Sequence, residues 1–361
     1  MKLAHVRERH APAGAPWRLA AAFEPEGPSD APLRWLDLEP ARRRLVADDP
    51  RLAHNEPLFR RPVTTLDEVL ARGLRVASVA ALVEPFVADP GRAGGPGVAA
   101  ADPALDDPAD DLLLEAAHLE FGRPVLTPPS LRDFYAFEQH VRTAWARRGG
   151  EIPEAWYRLA VFYFSNVSEL RGPGEPVHAP GGCRELDYEL EIAALVDTAG
   201  RDLEAATAEE VIGGYTIMND WSARDLQRDE TQVRLGPAKG KDFATSLGPW
   251  LVTPDELADS RRPGSTGYDL LMTATVGGRE TSRGCWADSH YSFGQLLARA
   301  SADVTLRPGE LVGSGTVGTG CLLESREATI GRWLEPGDEV VLRIERLGEL
   351  RTPVVARPGE H

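Results

Sequence analysis

Cysteine is scarce in this chain: three in 361 residues, Cys183, Cys285 and Cys321. An odd number at such wide spacing supports neither a disulfide framework nor a thiolate zinc site, so reduced, buried thiols are expected. No apolar run approaches the ~20 residues of a membrane-spanning helix. The first residues, "MKLAHVRERHAPAG", lack the apolar core of a secretory signal, and a cytoplasmic location is the expectation. Basic residues are outnumbered, 40 Lys and Arg against 56 Asp and Glu, for a formal charge of −16. That balance argues against nucleic acid or an anionic membrane as the partner, while leaving room for a local basic pocket.

What is present is a globular composition, 42% hydrophobic, long enough for about two domains. Residues 86–111 are dense in Gly, Pro, Ala and Asp and read as a linker. The reading is therefore a smaller N-terminal domain over 1–112 and a larger domain over 113–361. Before the linker, "ARRRLVADD" and "TLDEVLARGL" look helical. After it, short β-rich runs such as "AVFYFSNV", "YELEIAALV", "YDLLMTATV" and "DEVVLRIERL" dominate, punctuated by Pro308-Gly309 and Pro336-Gly337. An α+β, β-rich fold is expected.

In "PPSLRDFYAFEQHVRTAWARRGG", Phe134, Phe137, Val141 and Ala144 fall at helical spacing, and Gly149-Gly150 ends the pattern. Asp133 and His140, seven apart, would then share one side of a helix. Ser130 and Asp133 also form a Ser-x-x-Asp pattern, which offers a cap as the ordinary reading of Asp133. Two other motifs mislead. "GSGTVG" over 313–318 matches a dinucleotide fingerprint but no convincing helix follows it, and "GPAKGKD" over 236–242 is one residue short of a phosphate loop.

The run "ELDYELEIAALV" alternates, placing Asp187, Glu189 and Glu191 on one strand face and Leu186, Tyr188, Leu190 and Ile192 on the other. Such an acidic face is either solvent-exposed at a sheet edge or wrapped around a divalent cation, for which oxygen ligands favour Mg²⁺, Ca²⁺ or Mn²⁺ over zinc. Asp220 in "YTIMNDWSARDLQ" stands between a strand-like run and a helix, as a cap or as a further ligand.

Taken together, "LRDFYAFEQH", "LDYELE", "MNDWSARDLQ", "KGKDFATSLGPW" and "GSGTVG" resemble the fumarylacetoacetate hydrolase family over residues 125–325. The resemblance implies a family-type mixed β-sheet roll or sandwich in the larger domain and one Mg²⁺ or Ca²⁺, with Mn²⁺ also fitting, held by Asp133, Glu189, Glu191 and Asp220. Asp187 would lie outside that set. It further implies His140 as general base paired with Glu324 of "GCLLE". Lys241, Arg224 and Gln227 would stabilise negative charge, with Tyr135, Tyr163 and Thr316 as substrate contacts. The implied reaction is hydrolysis of a carbon–carbon bond in a small 2-keto acid or diketo acid such as fumarylacetoacetate, by a homodimer. A 2-keto acid isomerase or decarboxylase is the alternative, and a protein using the acids only for structure is a third. In fumarylacetoacetase proper an arginine binding the substrate carboxylate follows the helix histidine; here Gly149 stands at that offset, with Arg147 and Arg148 just before it.

Overall fold

The structure is a computed structural model and describes residues 1–12, 14–23, 33–93 and 112–359. Most of the expected linker, residues 94–111, lies outside the described residues. Three strands open the chain, β1 (Lys2–Glu8), β2 (Arg18–Phe23) and β3 (Arg34–Asp37), followed by α1 (Leu38–Asp48), α2 (Leu52–Asn55), α3 (Leu66–Ala71) and α4 (Ala80–Ala88). The α1 and α3 helices fall where expected, and Thr65 caps α3 by accepting from the Glu68 amide.

Next come β4 (Leu113–Glu115), β5 (Leu119–Phe121), β6 (Leu131–Phe134), α5 (Glu138–Arg147), β7 (Phe162–Ser165) and β8 (Leu170–Arg171). The middle of the chain supplies β9 (Leu186–Asp187), β10 (Leu190–Val196), β11 (Gly200–Arg201), β12 (Ile212–Asp220), β13 (Ser222–Ala223), α6 (Arg224–Thr231) and β14 (Thr245–Val252). It closes with β15 (Leu271–Val276), β16 (Arg279–Cys285), α7 (Phe293–Ser301), β17 (Thr305–Leu306), β18 (Leu311–Gly313), α8 (Leu322–Ser325), β19 (Glu339–Ile344) and β20 (Gly348–Pro353). The fold is α+β and strand-rich, as expected.

One large mixed sheet runs β4-β3-β2-β1-β14-β12-β10-β18-β6-β7, with β5 added on β1 and β8 on β14. Because β1 is antiparallel to both β2 and β14, the N-terminal strands continue the sheet of the larger region. A separate antiparallel sheet, β16-β15-β19-β20, packs nearby. No helix among the described residues is long and apolar enough to cross a membrane.

The strand β10 lies at the centre of the large sheet, between β12 and β18, and every residue of it is buried. Leu190, Ile192, Ala194 and Val196 join one core cluster, while Ala193 and Leu195 join another with Leu36, Leu66 and Leu82. Both faces are therefore covered, which removes the solvent-exposed reading of its acids.

Three expectations need correction. Asp133 is not on the helix: it sits in β6, paired with Gly313 of β18 and Tyr163 of β7, and α5 begins only at Glu138. The apolar spacing is helical from Phe137 onward, but tertiary pairing claims Phe134 for a strand; Ser130 receives Arg132 rather than capping a helix. The run 185–196 is not one strand either, since β9 pairs with β13 and β10 with β12, leaving Tyr188 and Glu189 between them. Of the thiols only Cys321 is buried, whereas Cys183 and Cys285 are partly exposed.

Candidate active site

Four acids enter the same interior from different strands. Asp133 comes from β6, Glu191 from β10, Asp220 from the end of β12, and Glu189 from the break before β10. All four are at most 5% exposed. One oxygen from each of Asp133, Glu191 and Asp220 lies within 4.8 Å of the other two. Asp133 Oδ1, Glu191 Oε2 and Asp220 Oδ1 are buried and have no hydrogen-bond partner among the described residues. Burial, then neighbouring carboxylates, pushes the Asp133 and Glu191 carboxyls well above their usual range. Orphaned oxygens converging in this way fit a hard divalent cation, because such an ion would supply the missing partner for each of them.

Glu189 is held differently. Its Oε2 accepts from Lys241 Nζ at 2.5 Å and its Oε1 from Arg224 Nη2 at 2.8 Å. Lys241 also donates to Asp220. Burial would lower the Lys241 ammonium, but Asp220 and Glu189 more than offset it and hold the group above its ordinary value. Likewise burial would raise the Glu189 carboxyl, and the facing Lys241 and Arg224 bring it far below the usual range. Arg224, the first residue of α6, reaches back to Asp187 Oδ2 through Nε at 2.8 Å and to Gln227 Oε1 through Nη1 at 3.3 Å. The cap reading of Asp220 falls away, since the residue preceding α6 is Ala223, with no side-chain cap.

His140, on α5, pairs through Nδ1 with Glu324 Oε1 at 2.5 Å across 184 residues of sequence. Glu324 lies in α8, and its other oxygen accepts from the Thr319 amide at 3.2 Å. Burial alone would raise the Glu324 carboxyl, yet the His140 ring and that amide bring it below its ordinary value. With Nδ1 engaged, Nε2 is the free ring nitrogen, 4.0 Å from Glu189 Oε1. Tyr135 packs its ring edge-on to the imidazole at 5.3 Å, Tyr163 donates to Asp220 Oδ2 at 2.7 Å, and Thr316 donates to Glu191 Oε1 at 3.2 Å.

These groups open on one cavity of about 290 Å³, lined by ten of the twelve residues singled out from the sequence. Asp220 and Glu324 stand behind it, bonded to Tyr163 and His140. Sequence reasoning missed its apolar wall, Val161, Phe162 and Leu323, for which no motif gives a signal. It also left Arg147 and Arg148 undivided: Arg147 turns to Glu327 and the Glu324 carbonyl, while Arg148 lines the cavity and makes no ion pair among the described residues. The glycines of "GSGTVG" acquire a purpose here. A Cβ on Gly313 would come 2.5 Å from Asp133 Oδ1, and one on Gly315, at φ +77°, would meet the Phe134 carbonyl.

Residues 130–355 match the family profile described as fumarylacetoacetate (FAA) hydrolase, C-terminal. The chain is 31% identical over 274 residues to a fumarylacetoacetase of Oryza sativa subsp. japonica, a match covering 60% of this chain and 64% of the rice protein. The chain thus spans less than two thirds of that relative's length. Among solved structures, a fumarylacetoacetate hydrolase from Exiguobacterium antarcticum superposes with TM-score 0.63 at 22% identity, over 99% of this chain and 100% of its own. A 2-hydroxyhepta-2,4-diene-1,7-dioate isomerase from Mycobacterium marinum does so with TM-score 0.59 at 21% identity, over the whole of both chains. At such identities the two structures speak to the fold alone.

Proposed function

The chain belongs to the fumarylacetoacetate hydrolase family, and from that premise we propose that it is a divalent-cation-dependent hydrolase cleaving a carbon–carbon bond in a β-diketone or acylpyruvate-type substrate. The observation that carries this reading is the buried His140–Glu324 pair beside three carboxylates with unsatisfied oxygens. Activating water needs a base, whereas loss of carbon dioxide from a cation-bound 2-keto acid abstracts no proton.

Asp133, Glu191 and Asp220, joined by Glu189, would hold Mg²⁺ or Ca²⁺, which when bound supplies a Lewis acid for paired substrate oxygens. Glu324 accepts the Nδ1 proton of His140 and so fixes the ring with Nε2 as the basic atom. That nitrogen takes a proton from water, and the hydroxide adds to one carbonyl carbon of the substrate. Arg224, Gln227 and Lys241 stabilise the resulting oxyanion, each such donor being worth ~3 kcal/mol of barrier. Rupture of the carbon–carbon bond releases a carboxylic acid and an enolate, and His140 or Lys241 returns the proton to carbon. Water is thereby added across the broken bond, with no oxidant or reductant required. Arg148, at the cavity wall with no ion pair among the described residues, meets the far carboxylate of the substrate.

The test is loss of enol absorbance for fumarylacetoacetate, simple acylpyruvates and oxaloacetate, with Mg²⁺ and after chelation, in wild type and His140→Ala. Two carbonyl fragments formed only with the cation, and at least about a hundredfold slower in the variant, are the expected result. Carbon dioxide or a rearranged product would replace hydrolysis by the decarboxylase or isomerase reading. Undiminished kcat in His140→Ala would remove the histidine from the mechanism.

A further inference from the structure

Asp187 is the one acid of the "LDYELE" run that does not line the cavity, and it is fully buried. Its oxygens are nonetheless the most heavily used of the three acids in that run. Oδ1 accepts from the Leu322 amide at 2.7 Å and from its neighbour Tyr188 at 2.9 Å; Oδ2 accepts from the Leu323 amide at 2.9 Å and from Arg224 Nε at 2.8 Å. The first helical residues of α8 are thus tied down by a carboxylate 135 residues away rather than by a residue of their own, since Cys321 offers no side-chain cap. One turn carries Leu322, Leu323 and Glu324 together.

The consequence is a closed circuit around the histidine. His140 Nδ1 bonds Glu324, α8 bonds Asp187, Asp187 bonds Arg224, Arg224 bonds Glu189, and Glu189 Oε1 lies 4.0 Å from His140 Nε2. Both ring nitrogens therefore face groups whose positions trace back to one carboxylate. Burying a charge is costly unless it is fully paired, and Asp187 meets that cost with four donors.

We propose that Asp187 is a positioning residue for the proton-accepting pair: it sets where Glu324 and Arg224 stand relative to His140, without touching substrate or cation. This rests on the reading of His140–Glu324 as the base. Asp187→Asn keeps the volume but puts an amide NH₂ donor where an acceptor is needed, so one of the α8 amides or Arg224 must let go. A displacement of Glu324 by about 1 Å is enough to cost on the order of a hundredfold in rate. The expected result is therefore a fall in kcat of about ten- to a hundredfold with KM and the affinity for Mn²⁺ changed less than about threefold.

The decisive measurement is a double-mutant cycle with Glu324→Gln. If Asp187 acts through Glu324, the factor by which Asp187→Asn lowers kcat is smaller in the Glu324→Gln background than in wild type, the remainder passing through Arg224, because coupled positions are not additive. An undiminished factor in the double variant, or a loss that appears in KM and Mn²⁺ affinity instead, would overturn the proposal. Should Asp187→Asn fail to fold, Leu322→Pro removes one of the four donors while keeping every charge. Proline suits the first helical position, and the preceding Cys321 is already extended at φ −149°, ψ 161°. It is expected to lower kcat in the same way, and full kcat in a folded Leu322→Pro protein would count against the circuit. If Glu324→Gln itself leaves kcat unchanged, it is the proposed function that fails.

Discussion

Replacing Lys241 by methionine probes the electrostatics of the acidic cluster without reference to substrate. The ammonium is 4% exposed and bridges Glu189, at 2.5 Å, and Asp220. Methionine fills similar space but leaves two buried carboxylates without that partner, beside Asp133 and Glu191. Breaking a buried pair from one side costs about 3–5 kcal/mol. At about 2.1 cal mol⁻¹ K⁻¹ of unfolding entropy per residue over 361 residues, the cost corresponds to a Tm lower by about 4–7 °C in the cation-free protein. A saturating divalent cation restores positive charge to the same carboxylates, so it should raise the Tm of Lys241→Met by more than it raises that of wild type. Scanning calorimetry at one heating rate, with chelator and then with Mg²⁺, reads both quantities. A variant within about 1 °C of wild type in chelator would mean the carboxylates are protonated or relaxed, not compensated by Lys241. Equal cation-induced shifts in both proteins would show that the ion binds elsewhere.

Two further outcomes follow from groups outside the carboxylate cluster. His5 is buried and neutral, bonded through Nδ1 to the Arg123 carbonyl at 2.8 Å and accepting through Nε2 from the Leu66 amide at 3.0 Å; burial lowers it from its ordinary 6.5. The unfolded chain thus binds the extra proton first, so stability is complete above pH 6.5 and falls as pH drops below it. Denaturant midpoints between pH 7.5 and 5 should slope by up to about 1.4 kcal/mol per unit from this group, and His5→Gln should flatten that part of the curve. Arg148→Met should raise KM up to about fivefold for substrates with a second carboxylate and leave KM for those without one essentially unchanged; an equal rise for both would deny it that contact.

Fold legibility depended on how local the cause was. Helices α1 and α3 were readable because their periodicity and, for α3, the Thr65 cap lie within the segment. The position of β10 in the sheet was not, because an alternating acid pattern looks alike at an edge and at a centre until the partners on both sides are known. Asp133 shows the same limit from the other direction. Its neighbours Phe134, Phe137 and Val141 satisfy a helix, and only the ladder to Gly313 and Tyr163, far away in sequence, makes it a strand residue. In that strand its carboxylate is aimed by the sheet's register, which holds a side chain more firmly than a free first turn would.

The site was legible as a set of residues and illegible as a set of bonds. Motifs five to twelve residues long carried the acids, the histidine and the lysine, because each motif is one strand end or one helix start. What no motif encodes is that Glu189 faces two cations while Glu191, two residues on, faces two carboxylates. The difference arises because the chain breaks between β9 and β10 at Tyr188-Glu189, where the Glu189 amide turns to Asn219 Oδ1 at 2.9 Å instead of continuing a ladder. Gly313 follows the same logic. In a short sequence window its spacing to Gly315 and Gly318 matches a dinucleotide fingerprint, but the space it leaves free is taken by the Asp133 carboxylate, 180 residues earlier in the chain. A glycine that admits a carboxylate and a glycine that admits a phosphate look identical in sequence, since both record only that something polar comes too close for a Cβ.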